Sequence, residues 1–206
     1  ASSLSLAMQG LDRKMRELAT LYQVSSILSA GFEVKSLLRH IVTELAEQLK
    51  IDKMTILLAD EVKGRLTMAV CTVPVEEGSI PSLKMGEGLI GKAALEGKPC
   101  VVDDAAGEAD LLEAECFIVD GAGALVVIPF GTRGEISGVM TAFRKGIASF
   151  NREEVEMLTA VAEHAAIAVE NASLYQKAKH VSLTDSVSGL YNRSFFENAL
   201  NEEVGR

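Results

Sequence analysis

Ala124-Leu125-Val126-Val127-Ile128-Pro129-Phe130, Gly131-Thr132-Arg133-Gly134 and Glu135-Ile136-Ser137-Gly138-Val139-Met140-Thr141-Ala142-Phe143 form the stretch that decides the fold of this 206-residue chain. Ala124–Ile128 is a short apolar run that predicts a strand, with Pro129 as its end. Two glycines in four residues make 131–134 a turn. Glu135–Phe143 then predicts a further strand, so the whole reads as a β-hairpin.

Outward from this hairpin the same kinds of signal recur. Met54-Thr55-Ile56-Leu57-Leu58 suits a strand buried on both faces, and Leu66–Val73 pairs with it across a turn at 61–65. Pro74–Pro81 has loop chemistry, and Ser82–Met85 is a short strand. Gly88–Glu96 has helical spacing through Leu89, Ile90, Ala93, Ala94 and Leu95 until Gly97 stops it. Cys100–Val102 is another short strand, and Asp103–Glu115 is acidic and partly helical.

Helices bracket these strands. Leu11, Met15, Leu18 and Tyr22 make a narrow apolar seam on an amino-terminal helix that Gly31 ends. Glu33–Leu49 is a second helix with Leu37, Leu38, Ile41, Val42, Leu45 and Leu49 on one face. The last helix runs from Arg152 to Lys179, with Asn151 or Ser149 as its cap and Glu153 and Glu154 at its positive end. Leu158, Ala162, Ala165, Val169 and Ala172 form a second seam on it, at spacings of four and three. Terminal helices around a mainly antiparallel sheet make an α+β sandwich.

Composition removes several function classes. A net charge of −9 without any Lys/Arg run argues against a nucleic-acid partner. No apolar stretch reaches the ~18 residues that cross a bilayer, and no secretory leader is visible, so a cytoplasmic protein is expected. What precedes residue 1, a membrane anchor included, stays open. Cys71, Cys100 and Cys116 are scattered and odd in number, with no CxxC, which suits buried thiols in a reducing compartment. His40, His164 and His180 sit singly, so no metal site or haem is expected. No Ser or Cys has a convincing neighbouring base, and no catalytic residue is assigned.

Gly86-x-Gly88-x-x-Gly91 fits the dinucleotide pattern in letters only, because a proline breaks the segment that precedes it and no first strand of that motif is present. What survives is a tight turn into a helix N-terminus, whose free N–H groups can meet a ligand's anionic edge. Asp103, Asp104, Glu108, Asp110, Glu113 and Glu115 are an acidic cluster, expected to be a solvated face.

Three stretches together carry a family resemblance. They are Met85-Gly86-Glu87-Gly88-Leu89-Ile90-Gly91-Lys92-Ala93, the hairpin around Pro129 and Gly138, and Phe150–Glu154 with Ala165–Tyr175. In that order they resemble the GAF domain, a small-molecule-sensing module, over about Leu18 to Tyr175. The resemblance implies an antiparallel sheet of five or six strands, with terminal helices on one face. On the other face it implies a pocket covered by the loops and short helices between Pro74 and Asp120. The ligand residues it suggests are Met85, Gly88, Leu89, Asp103, Phe117, Val126 and Met140. The ligand is of unknown identity. A cyclic nucleotide is one candidate, although only Lys145, Phe150 and Glu154 align with that subclass, Arg144 replacing an Asn and Val155 an acid. Bilin-binding members often carry His after the Cys, where Phe117 follows Cys116 here.

Asp185-Ser186-Val187-Ser188-Gly189-Leu190-Tyr191-Asn192-Arg193-Ser194-Phe195-Phe196 closely resembles the opening of a GGDEF domain, the family that makes cyclic di-GMP from GTP. Val187, Ser188 and Ser194 depart from its usual Leu, Thr and second Arg. The resemblances divide the chain into an amino-terminal helix (1–17), a GAF domain (18–175), a linker helix (176–184) and a GGDEF start (185–206). The metal-binding acids of such a domain lie beyond Arg206, so the chain as given is expected not to catalyse. The expectation is a sensor that regulates a GGDEF diguanylate cyclase in cis, as a homodimer through Leu11–Tyr22 and Leu158–Ala172. The alternatives are a dimerisation module with a filled pocket, or a redox enzyme of this fold.

Overall fold

The computed structural model describes residues 30–60, 63–74, 82–112, 115, 118–119, 121–146 and 149–183. Helix α1 (Ala30–Leu49) leads to strands β1 (Lys53–Asp60) and β2 (Arg65–Cys71). A short β3 (Ser82–Lys84), helix α2 (Gly88–Glu96) and a short β4 (Cys100–Val102) follow. The chain closes with β5 (Gly123–Thr132), β6 (Glu135–Lys145) and the 32-residue α3 (Arg152–Leu183). The sheet order is β3-β2-β1-β6-β5-β4, antiparallel throughout.

The β5–β6 hairpin is the spine of the sheet. Its turn is Arg133-Gly134, both at positive φ (54° and 87°), a conformation that matches the right-handed twist of the flanking strands. Pro129 does not end β5, which continues through it to Thr132. β4 pairs only as far as Val127, so β5 is an edge at Pro129, where a strand tolerates a residue without an N–H. Gly31 lies inside α1 and does not end a helix before it. A glycine costs a helix only about 1 kcal/mol, which the buried face of α1 outweighs. Left-handed Lys50 (φ 53°) closes α1, and the Ile51 N–H reaches back to the Ala46 carbonyl at 2.8 Å. Within Asp103–Leu112 the acidic segment after Val102 is partly helical, holding the 3-10 turn Ala105–Gly107.

Both faces of the sheet are buried. On one face α1 and α3 lie over Met54, Ile56, Val126, Ile128, Met140 and Ala142. On the other, α2 and the segment through Ile118 cover Leu57, Leu125, Val127, Val139 and Phe143. Strand alternation explains the split, since Val126 and Val127 point to opposite faces. The central strands therefore show no polar–apolar alternation.

Arg144, at the end of β6, ties the helical layer to the sheet. Its Nη2 donates to the Leu49 carbonyl and to Glu154 Oε1, both at 2.7 Å, and its guanidinium lies 4.4 Å from the Phe150 ring centroid. Glu154 also completes a capping box with Asn151, each side chain accepting the other's backbone N–H at 2.9 Å. Burial pushes the Glu154 carboxyl up, but the hydrogen bonds from Arg144 and the Asn151 N–H, with the guanidinium charge, hold it below its ordinary value. A carboxyl depressed in the fold stabilises it above the unfolded pKa and loses that contribution as pH falls through the folded pKa. Glu154→Gln should therefore cost about 2 kcal/mol at neutral pH in urea unfolding. The difference from wild type should shrink as the pH is lowered through the carboxylate range.

Candidate functional site

The Gly86–Gly91 turn forms as its glycines require. The Gly86 N–H bonds the Gly91 carbonyl at 2.7 Å, and Gly88 sits at φ 69°. Glu87 stands at the N-cap of α2 but its side chain caps nothing. The first helical N–H groups thus need another acceptor.

Glu115 supplies it. Its Oε2 accepts from the Leu89 N–H at 3.0 Å and the Leu112 N–H at 2.9 Å, while Oε1 accepts from the Ile90 N–H at 2.7 Å. The side chain is fully buried. A carboxylate at a helix N-terminus meets both the orphan donors and the positive end of the helix dipole. The anion site foreseen for a ligand is filled from within the chain. Glu115 is no part of a solvated acidic face, which corrects the expectation for that cluster. A Cβ built on Gly88 would come within 2.6 Å of the Glu115 carboxyl carbon, so Gly88 is where the carboxylate passes against the backbone.

The cover-side face of the sheet has a polar centre. Thr55 and Thr141, fully buried and directly opposite on β1 and β6, share a hydrogen bond of 2.6 Å between their hydroxyls. Cross-strand pairing extends this row to Cys71 on β2 and, through Val127 on β5, to Cys100 on β4. Four strand spacings of ~4.8 Å separate the two cysteines, too far for a shared redox centre. Burial, then Glu108 and Glu96, push the Cys100 thiol above its ordinary value, which lowers its reactivity. Cys116 lies outside the described residues. Among the described residues no group of three or more His, Cys, Asp or Glu could hold a metal ion. No described helix is long and apolar enough to cross a membrane.

The structure brings Met85, Gly88 and Leu89 together at the start of α2. Val126 and Met140 belong to the helix-side core, on the opposite face of the sheet. In a strand buried on both faces, the apolar pattern cannot say which neighbour points to which side. Asp103 is exposed and accepts the Ser149 hydroxyl. Phe117 lies outside the described residues, as do Leu11, Met15, Leu18 and Tyr22. Leu158, Ala162 and Ala165 are not an outer seam, since they are buried against the chain's own sheet and α1, with Val169 packed beside them and Ala172 half-buried. Apolar spacing of four and three marks a packed helix face without naming what packs on it. Phe150 and Glu154 are engaged in the Arg144 clamp, while Lys145 is exposed. Sequence reasoning missed Thr55, Thr141 and Glu115. The one available sign of a remote acceptor was Glu87 itself, not one of the Ser, Thr, Asp or Asn residues that cap a helix start.

Comparison with known proteins agrees with this architecture. A GAF domain profile matches residues 33–170. The chain is 28% identical over 152 residues to a Nif-specific regulatory protein of Azospirillum lipoferum, covering 71% of this chain and 24% of that protein. The chain thus spans about a quarter of that relative's length. Among solved structures, the GAF domain of a phosphoenolpyruvate-protein phosphotransferase from Coxiella burnetii superposes with a TM-score of 0.66 at 20% identity, covering 82% of this chain and 98% of that one. A type II free methionine-R-sulfoxide reductase from Thermoplasma acidophilum superposes with a TM-score of 0.60 at 19% identity, covering 69% and 96%. At such identities the likeness is one of fold.

Glu115→Ala should leave the Leu89, Ile90 and Leu112 N–H groups without their acceptor and cost about 3 kcal/mol or more in urea unfolding. The amide hydrogens of Leu89 and Ile90 should exchange much faster than those of β6. Gly88→Ala should also destabilise, through strain at positive φ and contact with the carboxylate.

Proposed function

Because this chain belongs to the GAF domain family, a regulatory and sensory module of signalling proteins, we propose that it binds a small molecule and thereby controls a carboxy-terminal GGDEF diguanylate cyclase. The observation that carries this reading is α3. Its first half is core, through Met157, Leu158, Val161, Ala162, Ala165 and Ala166. The same unbroken helix runs to Leu183, two residues before the Asp185–Phe196 stretch that resembles a GGDEF opening. Gln176–Leu183 is thus no hinge, and a shift in the packing of the sheet moves the whole rod. Cyclic di-GMP synthesis joins two GTP molecules on two catalytic domains, so the orientation of that rod sets whether they meet.

The ligand site in this reading is the cover-side face of the sheet at the Thr55–Thr141 pair. Two hydroxyls bonded to each other use one of their two protons, so a ligand acceptor can take the other. Thr55→Val with Thr141→Val removes both partners at nearly constant shape, which should change stability little. A thermal-shift screen of nucleotides, cyclic nucleotides and small metabolites should find a stabilising compound whose shift the double variant abolishes. A hit unaffected by the double variant would move the site elsewhere.

One observation favours a second reading, a dimerisation module without a ligand. The cover side is packed by fully buried Leu57, Ile90, Ile118, Leu125, Val139 and Phe143, and Glu115 occupies the helix N-terminus. A screen without any hit selects this reading.

The role of α3 has its own test in a fusion to an active GGDEF domain. One alanine inserted after Lys179 turns all that follows by about 100°. Cyclic di-GMP output should change several-fold, and seven inserted residues, about two turns, should restore it. Output indifferent to both insertions would sink the signalling role.

A further inference from the structure

We propose that the ligand taken at the Thr55–Thr141 pair is uncharged, a mostly apolar molecule that brings a carbonyl or hydroxyl oxygen to the threonine hydroxyls, and that anionic compounds, nucleotides among them, are excluded. The proposal rests on the sensor reading and names its class of ligand. Thr55 and Thr141 stand in a row that runs Cys71, Thr55, Thr141, Val127, Cys100 across five strands. Leu57, Val139, Leu125 and Phe143 flank that row on the same face, all fully buried. A bonded pair of hydroxyls offers a proton and lone pairs but no formal charge. A carbonyl, amide or alcohol satisfies such groups. A carboxylate or phosphate taken there gives up its water for two neutral hydroxyls.

The donors that suit an anion are already taken. The Leu89 and Ile90 N–H groups at the start of α2 are held by the two oxygens of Glu115. Lys92 is paired with Asp110 at 2.6 Å, and Lys84 with Glu87. Strand alternation sets Lys53 and Lys145 on this side as well, at the first residue of β1 and the last of β6. Each of these two has its own interaction within the protein. Lys98 is exposed beyond the end of α2.

The charge of the cover acts in the same direction. Residues 72–122, which join β2 to β5 and include α2, hold eleven Asp and Glu against three Lys. That is a net −8 in a chain whose total is −9. A low-dielectric wall carrying one sign of charge repels ions of that sign and leaves neutral molecules unaffected. The effect reaches the end of the threonine row. After burial, Glu108 and Glu96 push the Cys100 thiol up, so a negative charge at that place is already disfavoured.

Matched pairs of compounds on the full chain test the proposal. Adenosine and guanosine are compared with their monophosphates and cyclic monophosphates, and primary amides with the corresponding carboxylic acids, by thermal shift. A neutral member should stabilise the protein and bind roughly tenfold or more tightly than its anionic partner. Its shift should be lost with Thr55→Val and Thr141→Val together, and should be the same at low and high salt. Cys100 gives a second measurement that needs no ligand. Iodoacetamide and iodoacetate are similar in size and differ by one negative charge. With rates read on the Cys100 peptide by mass spectrometry and normalised to the urea-unfolded chain, iodoacetamide should be favoured several-fold. Glu96→Gln with Glu108→Gln should remove most of that preference. A monophosphate or acid that binds as tightly as its neutral partner, with a shift that the threonine double variant abolishes, overturns the ligand class and keeps the sensor reading. Equal normalised alkylation by the two reagents also overturns the exclusion of anions. A screen in which neither series shifts the protein loses the sensor reading, and the ligand class with it, whatever the alkylation ratio.

Discussion

A sheet covered on both faces leaves no solvent for any polar group near its centre. An unpaired hydroxyl or N–H there costs about 1–3 kcal/mol, so each polar atom must find a partner inside the protein. Thr55 and Thr141 answer by pairing with each other across β1 and β6. The start of α2, pressed onto the same face, answers through Glu115, whose two oxygens take three backbone N–H groups. At the rim of the other face Arg144 gives the Leu49 carbonyl and the Glu154 carboxylate their donors, while its own buried Nε has no acceptor. The rest of the molecule is arranged around these three solutions.

The two covers differ in kind. The helix side is a continuous layer, in which α1 and α3 cross the strands and bury long aliphatic side chains. Among the described residues the other side is one nine-residue helix and irregular chain, tied to one another by the Glu115 carboxylate. Irregular segments held by few bonds open at lower free energy than a packed helical layer. The proposed sensor reading sets the ligand response on the α2 side and the output on the α3 side, with the central strands between them. Val126 and Val127, or Met140 and Thr141, are neighbours in sequence that read opposite covers, so a shift of β5 or β6 is felt in both layers.

Much of the fold was legible because its signals are local. The α2 helix was bounded to the residue by Gly88 and Gly97, the latter left-handed with its N–H on the Ala93 carbonyl. The β5–β6 turn was legible from its glycines. The site was legible only in part. A strand buried on both faces has no alternation, so Val126 and Met140 were assigned to the wrong side of the sheet. Glu115 stands in a run of acids, and nothing local separates a buried acceptor from Glu113 or Asp110. Its partners lie 25 and 26 residues away, and only the fold brings them together. The pairing of Thr55 with Thr141, 86 residues apart, is equally invisible before the strands are ordered.

Helix α3 carries one sequence pattern on two faces of different burial. Leu158, Ala162 and Ala165 repeat at four and three, and so do Ala160, His164, Ile167, Asn171 and Leu174. The first set is buried in the domain and the second is exposed. The composition of the two lines accounts for the difference. The inner line begins at fully buried Leu158 and continues in alanines, which let the helix lie close against the strands. The outer line mixes Ile and Leu with His and Asn, polar residues that a domain core would have to satisfy internally. Helix α3 is unbroken from core-packed Leu158 to Leu183, so any displacement of its packed half is carried along the rod.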